Sequence, residues 1–292
     1  MNNKKTAIAL GAFDGLHKGH MAVIGAALSF KEEMTPAALL FDRHPRYYLT
    51  GEEPKKLLQD SERDEILLSC GLAIANMNFA SIKDMSPKDF VTEILIKKLS
   101  AGAVCCGWNY RFGKGGEGNT ALLCKLCEEQ GIECRVCEPV YYENKAISST
   151  LIRRLIEDGE VDTASGLLGR NFYFTSPVTH GCERGRLIGA PTINQYFDKN
   201  FILPRTGVYA SNTFINGKKY PSVTNIGLRP TFENEDFRSE SHIIGFEGDL
   251  YGENVTVELI KFIREEERFS SLEELKKRIA LDIKASLENQ YE

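Results

Sequence analysis

The feature that most limits the fold is a change of rhythm near Gly169. Before it, short apolar or β-branched runs at residues 6–13, 37–41, 72–79, 103–108 and 133–140 read as buried strands. Between them, residues 20–32, 62–69, 88–99 and 120–130 carry helical patterns, the third opened by Ser86 as cap, Pro87 at the first helical position and Asp89 in the first turn. Parallel strands need long crossovers, so this alternation predicts an α/β fold with a doubly wound parallel sheet. Two short helical segments follow at 150–158 and 161–168, and then Gly, Pro and Thr punctuate runs such as 207–214, 242–246 and 255–262. That spacing is what an antiparallel β-barrel or sandwich produces, and the barrel with a C-terminal helix is the expectation. A last helix starts at Ser271, with Glu273 and Glu274 at its positive end and an apolar stripe of Leu272, Leu275, Ile279, Ile283 and Leu287. The expected domains are 1–169 and 170–292, which suits a 292-residue chain because one core rarely organises so many residues.

The net charge of −5 is spread along the chain without a basic footprint, so nucleic acid is not an expected partner. Residues Met1–Lys5 run into a strand-like stretch with no apolar signal region, and no apolar run is long enough to span a bilayer. The expectation is a cytoplasmic protein without membrane contact, whose eight cysteines are reduced thiols. Two C-x-x-C pairs, Cys124/Cys127 and Cys134/Cys137, are separated by six residues. A zinc ribbon uses roughly 15–20, and one pair sits in a helical pattern while the other is extended, which speaks against a shared tetrahedral metal.

Chemistry concentrates first in Gly11-Ala12-Phe13-Asp14-Gly15-Leu16-His17-Lys18-Gly19-His20, which joins the first strand to the first helix. Backbone N–H groups and a helix dipole converge on an anion at such a junction. Gly11, Gly15 and Gly19 let the backbone approach phosphate closely. His17 and His20, three residues apart at a helix start, point the same way and can donate to a polyphosphate under attack at its α-phosphorus. Such a transfer needs positioning and charge stabilisation but no protein nucleophile.

This stretch resembles the G-x-F-D-G-x-H-x-G-H signature of the FMN adenylyltransferase module of bacterial bifunctional riboflavin kinase/FAD synthetases. Two further segments extend the likeness: Gly107-Trp108-Asn109-Tyr110-Arg111-Phe112-Gly113 and Ile147-Ser148-Ser149-Thr150-Leu151-Ile152-Arg153. The resemblance implies His17 and His20 as catalytic groups on the ATP phosphates and Gly11, Phe13, Asp14, Gly15 and Gly19 as the ATP-binding turn. It also implies Ser149, Thr150 and Arg153 on the triphosphate and Asn109 near the flavin phosphate. Ser149 and Thr150 would open the last helix of the domain, where N–H donors and hydroxyls meet an anion, and Arg153 offers a planar fork. A plain helix cap would look the same locally.

The second dense cluster is Gly185-Arg186-Leu187-Ile188-Gly189-Ala190-Pro191-Thr192-Ile193-Asn194. Thr192 and Asn194 put two hard oxygens side by side, as Mg²⁺ requires, although Thr and Asn beside Gly and Pro more often make a simple turn. The cluster resembles the G-R-x-L-G-x-P-T-A-N signature of riboflavin kinase domains. Residues 204–210, 225–232 and 249–252 and then Arg264, Glu266 and Phe269 continue the likeness in order. It implies Gly185, Arg186 and Gly189 at ATP, Thr192 and Asn194 at the metal, and Arg264 at the flavin. It also makes Glu240, in Ser239-Glu240-Ser241-His242, the base for the ribityl hydroxyl. Three positions depart from the family pattern: Ile193 for alanine, Ser241 for threonine, and Asp42-Arg43-His44-Pro45 for a proline-histidine-proline segment.

The resulting expectation is a bifunctional flavin-cofactor enzyme using riboflavin, FMN and ATP with Mg²⁺, its oligomeric state open. Two alternatives are a riboflavin kinase whose first domain only binds nucleotide, and a flavin sensor without turnover. A sensor has no need of a base at Glu240.

Overall fold

The computed structural model describes residues 4–180, 191–230 and 235–289. The chain forms two compact units, residues 1–149 and 150–292.

In the first unit, five parallel strands stand in the order β3-β2-β1-β4-β5: β1 (Thr6–Leu10), β2 (Thr35–Phe41), β3 (Ala73–Met77), β4 (Ala101–Gly107) and β5 (Glu133–Cys137). Their crossovers carry α1 (Lys18–Leu28), α2 (Pro45–Thr50), α3 (Asp60–Ser69), α4 (87–98) and α5 (Thr120–Glu128). The central strands β1 and β4 are buried on both faces, which is why they read as continuous apolar runs. Strand order reverses between β1 and β4, so the carboxyl ends of those two strands define the crevice where a doubly wound sheet takes its ligand.

Two local features were not expected. After one turn at Pro87–Asp89, α4 continues as a π-helix over Phe90–Lys98. Its wider turn places Phe90, Val91, Ile94 and Leu95, separated by one, three and one residues, together in the core. The extra helix α2 starts where the His44 ring nitrogen Nδ1 accepts the Arg46 N–H at 3.2 Å, with Pro45 at its first position. The cap at Ser86 forms as its sequence predicts, accepting the Asp89 N–H at 3.1 Å. A small hairpin, β6 (Tyr141–Tyr142) and β7 (Lys145–Ala146), completes the unit.

The second unit begins in α6 (Ser149–Glu157), followed by α7 (Val161–Leu168). Six antiparallel strands follow: β8 (Phe172–Pro177), β9 (Thr192–Tyr196), β10 (Gly207–Ile215), β11 (Lys218–Pro230), β12 (Glu235–Ile243) and β13 (Asn254–Arg264), in the order β8-β13-β10-β11-β12-β9. The sheet closes into a barrel between its two ends: Thr179 N–H donates to the Asn194 carbonyl at 2.8 Å, and Gln195 Nε2 to the Ser176 carbonyl at 2.7 Å.

The last helix, α8 (Leu272–Glu288), does begin at Ser271, whose Oγ accepts the Glu274 N–H at 3.2 Å. Its packed face takes in the middle of the predicted apolar stripe, Leu275, Ile279 and Ile283, each half-buried, but not the ends of it. Leu272 and Leu287 are exposed, while Asp282 and Ser286 are buried. The reason is polar docking. Arg264 at the end of β13 donates to both carboxylate oxygens of Asp282 from Nε at 3.0 and 3.3 Å and from Nη2 at 2.8 Å, and Ser286 Oγ donates to the Ser222 carbonyl at 2.7 Å. These bonds fasten the helix alongside its half-buried apolar residues.

Candidate active sites

The turn after β1 needs unusual backbone. Phe13, Gly15 and Leu16 take positive φ values of 52°, 79° and 45°, a region that costs a residue with a side chain about 1–3 kcal/mol. The turn is held by its neighbours: the Asp14 carboxylate accepts the Leu57 N–H at 3.0 Å, and Ser149 Oγ donates to the Asp14 carbonyl at 3.0 Å. Phe13 is buried, its side chain part of the core. Asp14 also lines a small cleft together with His44, Lys56 and Arg63.

His17 caps α1, its Nδ1 accepting the His20 N–H at 3.3 Å. The two imidazoles stack with centroids 3.7 Å apart, and the Phe13 ring meets His20 edge-on at 5.4 Å. Gly19 is what lets His17 lie there, because a Cβ at that position would sit 3.1 Å from His17 Cε1. Desolvation and the neighbouring His17 hold the His20 imidazole well below its ordinary pKa, so it is neutral at pH 7. Its Nδ1 is buried and makes no hydrogen bond.

Asn109 lies just past β4, folded back over Gly107, with its Oδ1 3.6 Å from where a Gly107 Cβ would stand. Its neighbour Trp108 is half exposed, a large aromatic surface that the sequence reading did not single out. Thr150 and Arg153 belong to α6 and to the second unit.

In the barrel, strand pairing assembles residues that are far apart in sequence. Across β9 and β12, Thr192 stands opposite His242 and Asn194 opposite Glu240, so these side chains share one face. The contact between the two motifs is fastened at His242, whose Nδ1 lies 2.9 Å from the Pro191 carbonyl. Asn194 is buried and its Oδ1 has no hydrogen-bond partner, a costly state for a carbonyl oxygen unless a ligand completes it. Glu240 is ion-paired with Arg238, two residues back on the same face. Arg238 was not anticipated, although the period-two spacing from Glu240 is a signal that could have found it. Thr192 and Asn194 open onto a cleft of about 370 Å³, whose wall includes Asp249 and Tyr251. Gly185, Arg186 and Gly189 lie outside the described residues.

The opposite face of the same strands explains two of the family departures. Ser241 points into the barrel and joins a buried chain of hydroxyls: Ser241 to Thr224 at 2.8 Å, Thr224 to Ser211 at 2.7 Å and Ser211 to Ser222 at 2.8 Å. Serine keeps the hydroxyl and omits only a methyl group. Ile193 packs against the cluster of Val178, Ile215, Ile243 and Leu250, so the larger side chain has a place to go. Arg264, expected at the flavin, spends its guanidinium on Asp282 and on the Glu265 carbonyl at 2.9 Å.

One unit therefore presents a glycine-rich helix start at the switch point of a parallel sheet, and the other sets a carboxylate beside two hard oxygens. Their class is that of ATP-using transferases with two sites.

The FAD synthetase family model matches residues 1–151 and the riboflavin kinase family model residues 168–289. Among curated relatives, the bifunctional riboflavin kinase/FMN adenylyltransferase of Bacillus subtilis strain 168 is 35% identical over 290 residues, covering 95% of this chain and 90% of that protein. The protein of the same name from Escherichia coli K12 is 34% identical, with 94% and 90% covered. A solved structure described as a macrolide-efflux protein from Streptococcus pneumoniae superposes with a TM-score of 0.90 at 29% identity, covering 98% of this chain and 95% of that one. Among the described residues no helix is long and apolar enough to cross a membrane. The chain belongs to the bifunctional riboflavin kinase/FMN adenylyltransferase family and carries both domains.

Proposed function

We infer that this chain phosphorylates riboflavin to FMN with one ATP and adenylylates FMN to FAD with a second, releasing ADP and pyrophosphate respectively. The observation that carries the kinase half is the cross-strand pairing of Asn194 with Glu240. It sets a carboxylate within one ladder step of the oxygens that would hold a phosphate-bound cation. Glu240 is the group that takes the proton from the ribityl 5′-hydroxyl as that oxygen attacks the γ-phosphorus.

Mg²⁺ suits this donor set. Thr192 and Asn194 supply neutral oxygens, and the buried, unpartnered Asn194 Oδ1 is the kind of atom a cation completes. When bound, the ion would neutralise phosphate charge during transfer. Flavin contact by Arg264 would have to be shared with its bond to Asp282.

In the adenylyltransferase half, the α1 amino terminus and the His17–His20 pair receive the polyphosphate, with Gly11, Gly15 and Gly19 giving it close backbone approach. A neutral His20 donates a hydrogen bond without bringing a buried charge. Ser149, Thr150 and Arg153 are assigned to the triphosphate and Asn109 to the flavin phosphate, and supporting this is the bond that ties Ser149 to the Asp14 carbonyl. We set the functional boundary near residue 169, next to the start of the kinase-family match at 168. A cytoplasmic location accords with a supply of ATP.

The test is to incubate the protein with riboflavin or with FMN alone, plus Mg-ATP, and separate products by chromatography. Riboflavin should yield FMN and FAD, and FMN should yield FAD. FMN made from riboflavin with no FAD in either mixture would reject the second activity.

A further inference from the structure

On the face that holds the kinase motif, β12 presents two charged side chains, Arg238 and Glu240, at the period-two spacing of a strand. Arg238 Nη2 donates to Glu240 Oε1. Only 9% of the Arg238 side chain is exposed, against 26% for Glu240, and Arg238 Nε is buried without a hydrogen-bond partner. Such a pair is a poor device for stability alone, because the cost of drying two ions offsets most of their attraction.

The neighbouring strands show what the pair does for Glu240. Arg238 stands opposite Gly227 of β11 and Tyr196 of β9, and Glu240 stands opposite Asn225 and Asn194. Gly227 has no side chain, and the Glu266 carboxylate occupies the space that one would take. Glu266 Oε1 accepts a hydrogen bond from Asn225 Nδ2 at 3.1 Å. Asn225 and Asn194, on either side of Glu240, each keep a buried Oδ1 without a partner. Those oxygens are acceptors, as a carboxylate is, so neither can hold Glu240 in place; a guanidinium can. Arginine suits the task because it presents rigid donors and does not give up its proton, so it restrains a carboxylate without protonating it.

We propose that Arg238 is a positioning residue for riboflavin phosphorylation, fixing the Glu240 carboxylate in the direction from which it takes the ribityl 5′-hydroxyl proton. The inference rests on the role of Glu240 as that base. In the step, the 5′-oxygen forms its bond to the γ-phosphorus, its proton passes to Glu240, and the bond to the β–γ bridging oxygen breaks to release ADP. Arg238 neither gains nor loses a proton.

The test follows transfer of label from γ-phosphate-labelled ATP to FMN plus FAD, with riboflavin and Mg²⁺ present. Arg238→Met, native by circular dichroism, should lower kcat about 10–10²-fold with KM for riboflavin and for Mg-ATP unchanged. In a Glu240→Gln background the same substitution should cause no further fall, because no base remains to be misplaced. Arg238→Gln goes through the same cycle and decides the matter if the methionine variant does not fold. A parental kcat in the Arg238 variants, with Glu240→Gln impaired, would overturn the role of Arg238 and leave the base standing. A raised KM at parental kcat, or an equal fall in the Glu240→Gln background, would also overturn it, since Arg238 would then act on substrate directly. Full kinase activity in Glu240→Gln itself would reject the base, and this inference with it.

Discussion

Asn194 and Glu240 face each other across the β9–β12 ladder, in the same register that sets Thr192 against His242. Glu240→Gln preserves size and removes the base. Riboflavin phosphorylation should fall by about 10²–10⁴-fold, while adenylylation of supplied FMN stays near normal. Parallel loss of both activities in a folded variant would contradict two separate sites. Asn194→Ala should act differently, raising the Mg-ATP concentration needed for half-maximal kinase rate.

Gly19 permits the His17 ring to cap α1. In Gly19→Ala the new Cβ would stand 3.1 Å from His17 Cε1 and 3.2 Å from Nδ1, so the imidazole has to move. FMN adenylylation should drop by at least about tenfold, since misplacing a phosphate-positioning group by an ångström can cost up to 10². Steady-state assays of both half-reactions check this; an unchanged adenylylation rate would remove His17 from the site.

His20 supplies a pH dependence. Its folded pKa lies well below the ordinary 6.5, so between those two values the folded state binds fewer protons than the unfolded chain. Stability from the neutral ring is fully present above about 6.5 and declines as pH falls through the window beneath it. NMR titration should show the His20 ring uncharged at pH 6. In urea melts between pH 7.5 and 5.5, His20→Asn should lose less stability than the unsubstituted protein.

Arg264 and Asp282 join the last strand to the last helix, with side-chain exposures of 11% and 4%. Removing one partner leaves the other charge buried, so Asp282→Ala should destabilise the barrel unit by about 3–5 kcal/mol. Replacing both, Arg264→Met with Asp282→Leu, should recover most of that loss, and calorimetry of the single and double variants measures it. A single variant as stable as the parent would show that α8 docks without the pair.

Gly207 has a φ of 143°, and a Cβ there would lie 2.5 Å from the Arg264 carbonyl oxygen. Backbone cannot yield as a side-chain tip can. Gly207→Ala should cost roughly 2–3 kcal/mol or more in denaturant melts.

Much of this protein is determined by local sequence. Alternating apolar runs and helical patterns suffice for a parallel sheet, because a strand buried on both faces and a crossover helix each leave their own periodicity. The caps at Ser86 and Ser271 are equally local, needing only a hydroxyl three residues before an N–H. So is the proximity of His17 to His20, which one helical turn dictates. Tertiary structure decided what depends on partners distant in the chain. The pairing of Asn194 with Glu240 spans a barrel register that no local period encodes. The burial of Asp282 and Ser286 beside the apolar stripe of α8 depends on Arg264 and the Ser222 carbonyl, which offer them bonds. The π-helical turn of α4 likewise belongs to its packing against the sheet, since a side chain's period fixes its face but not what waits there.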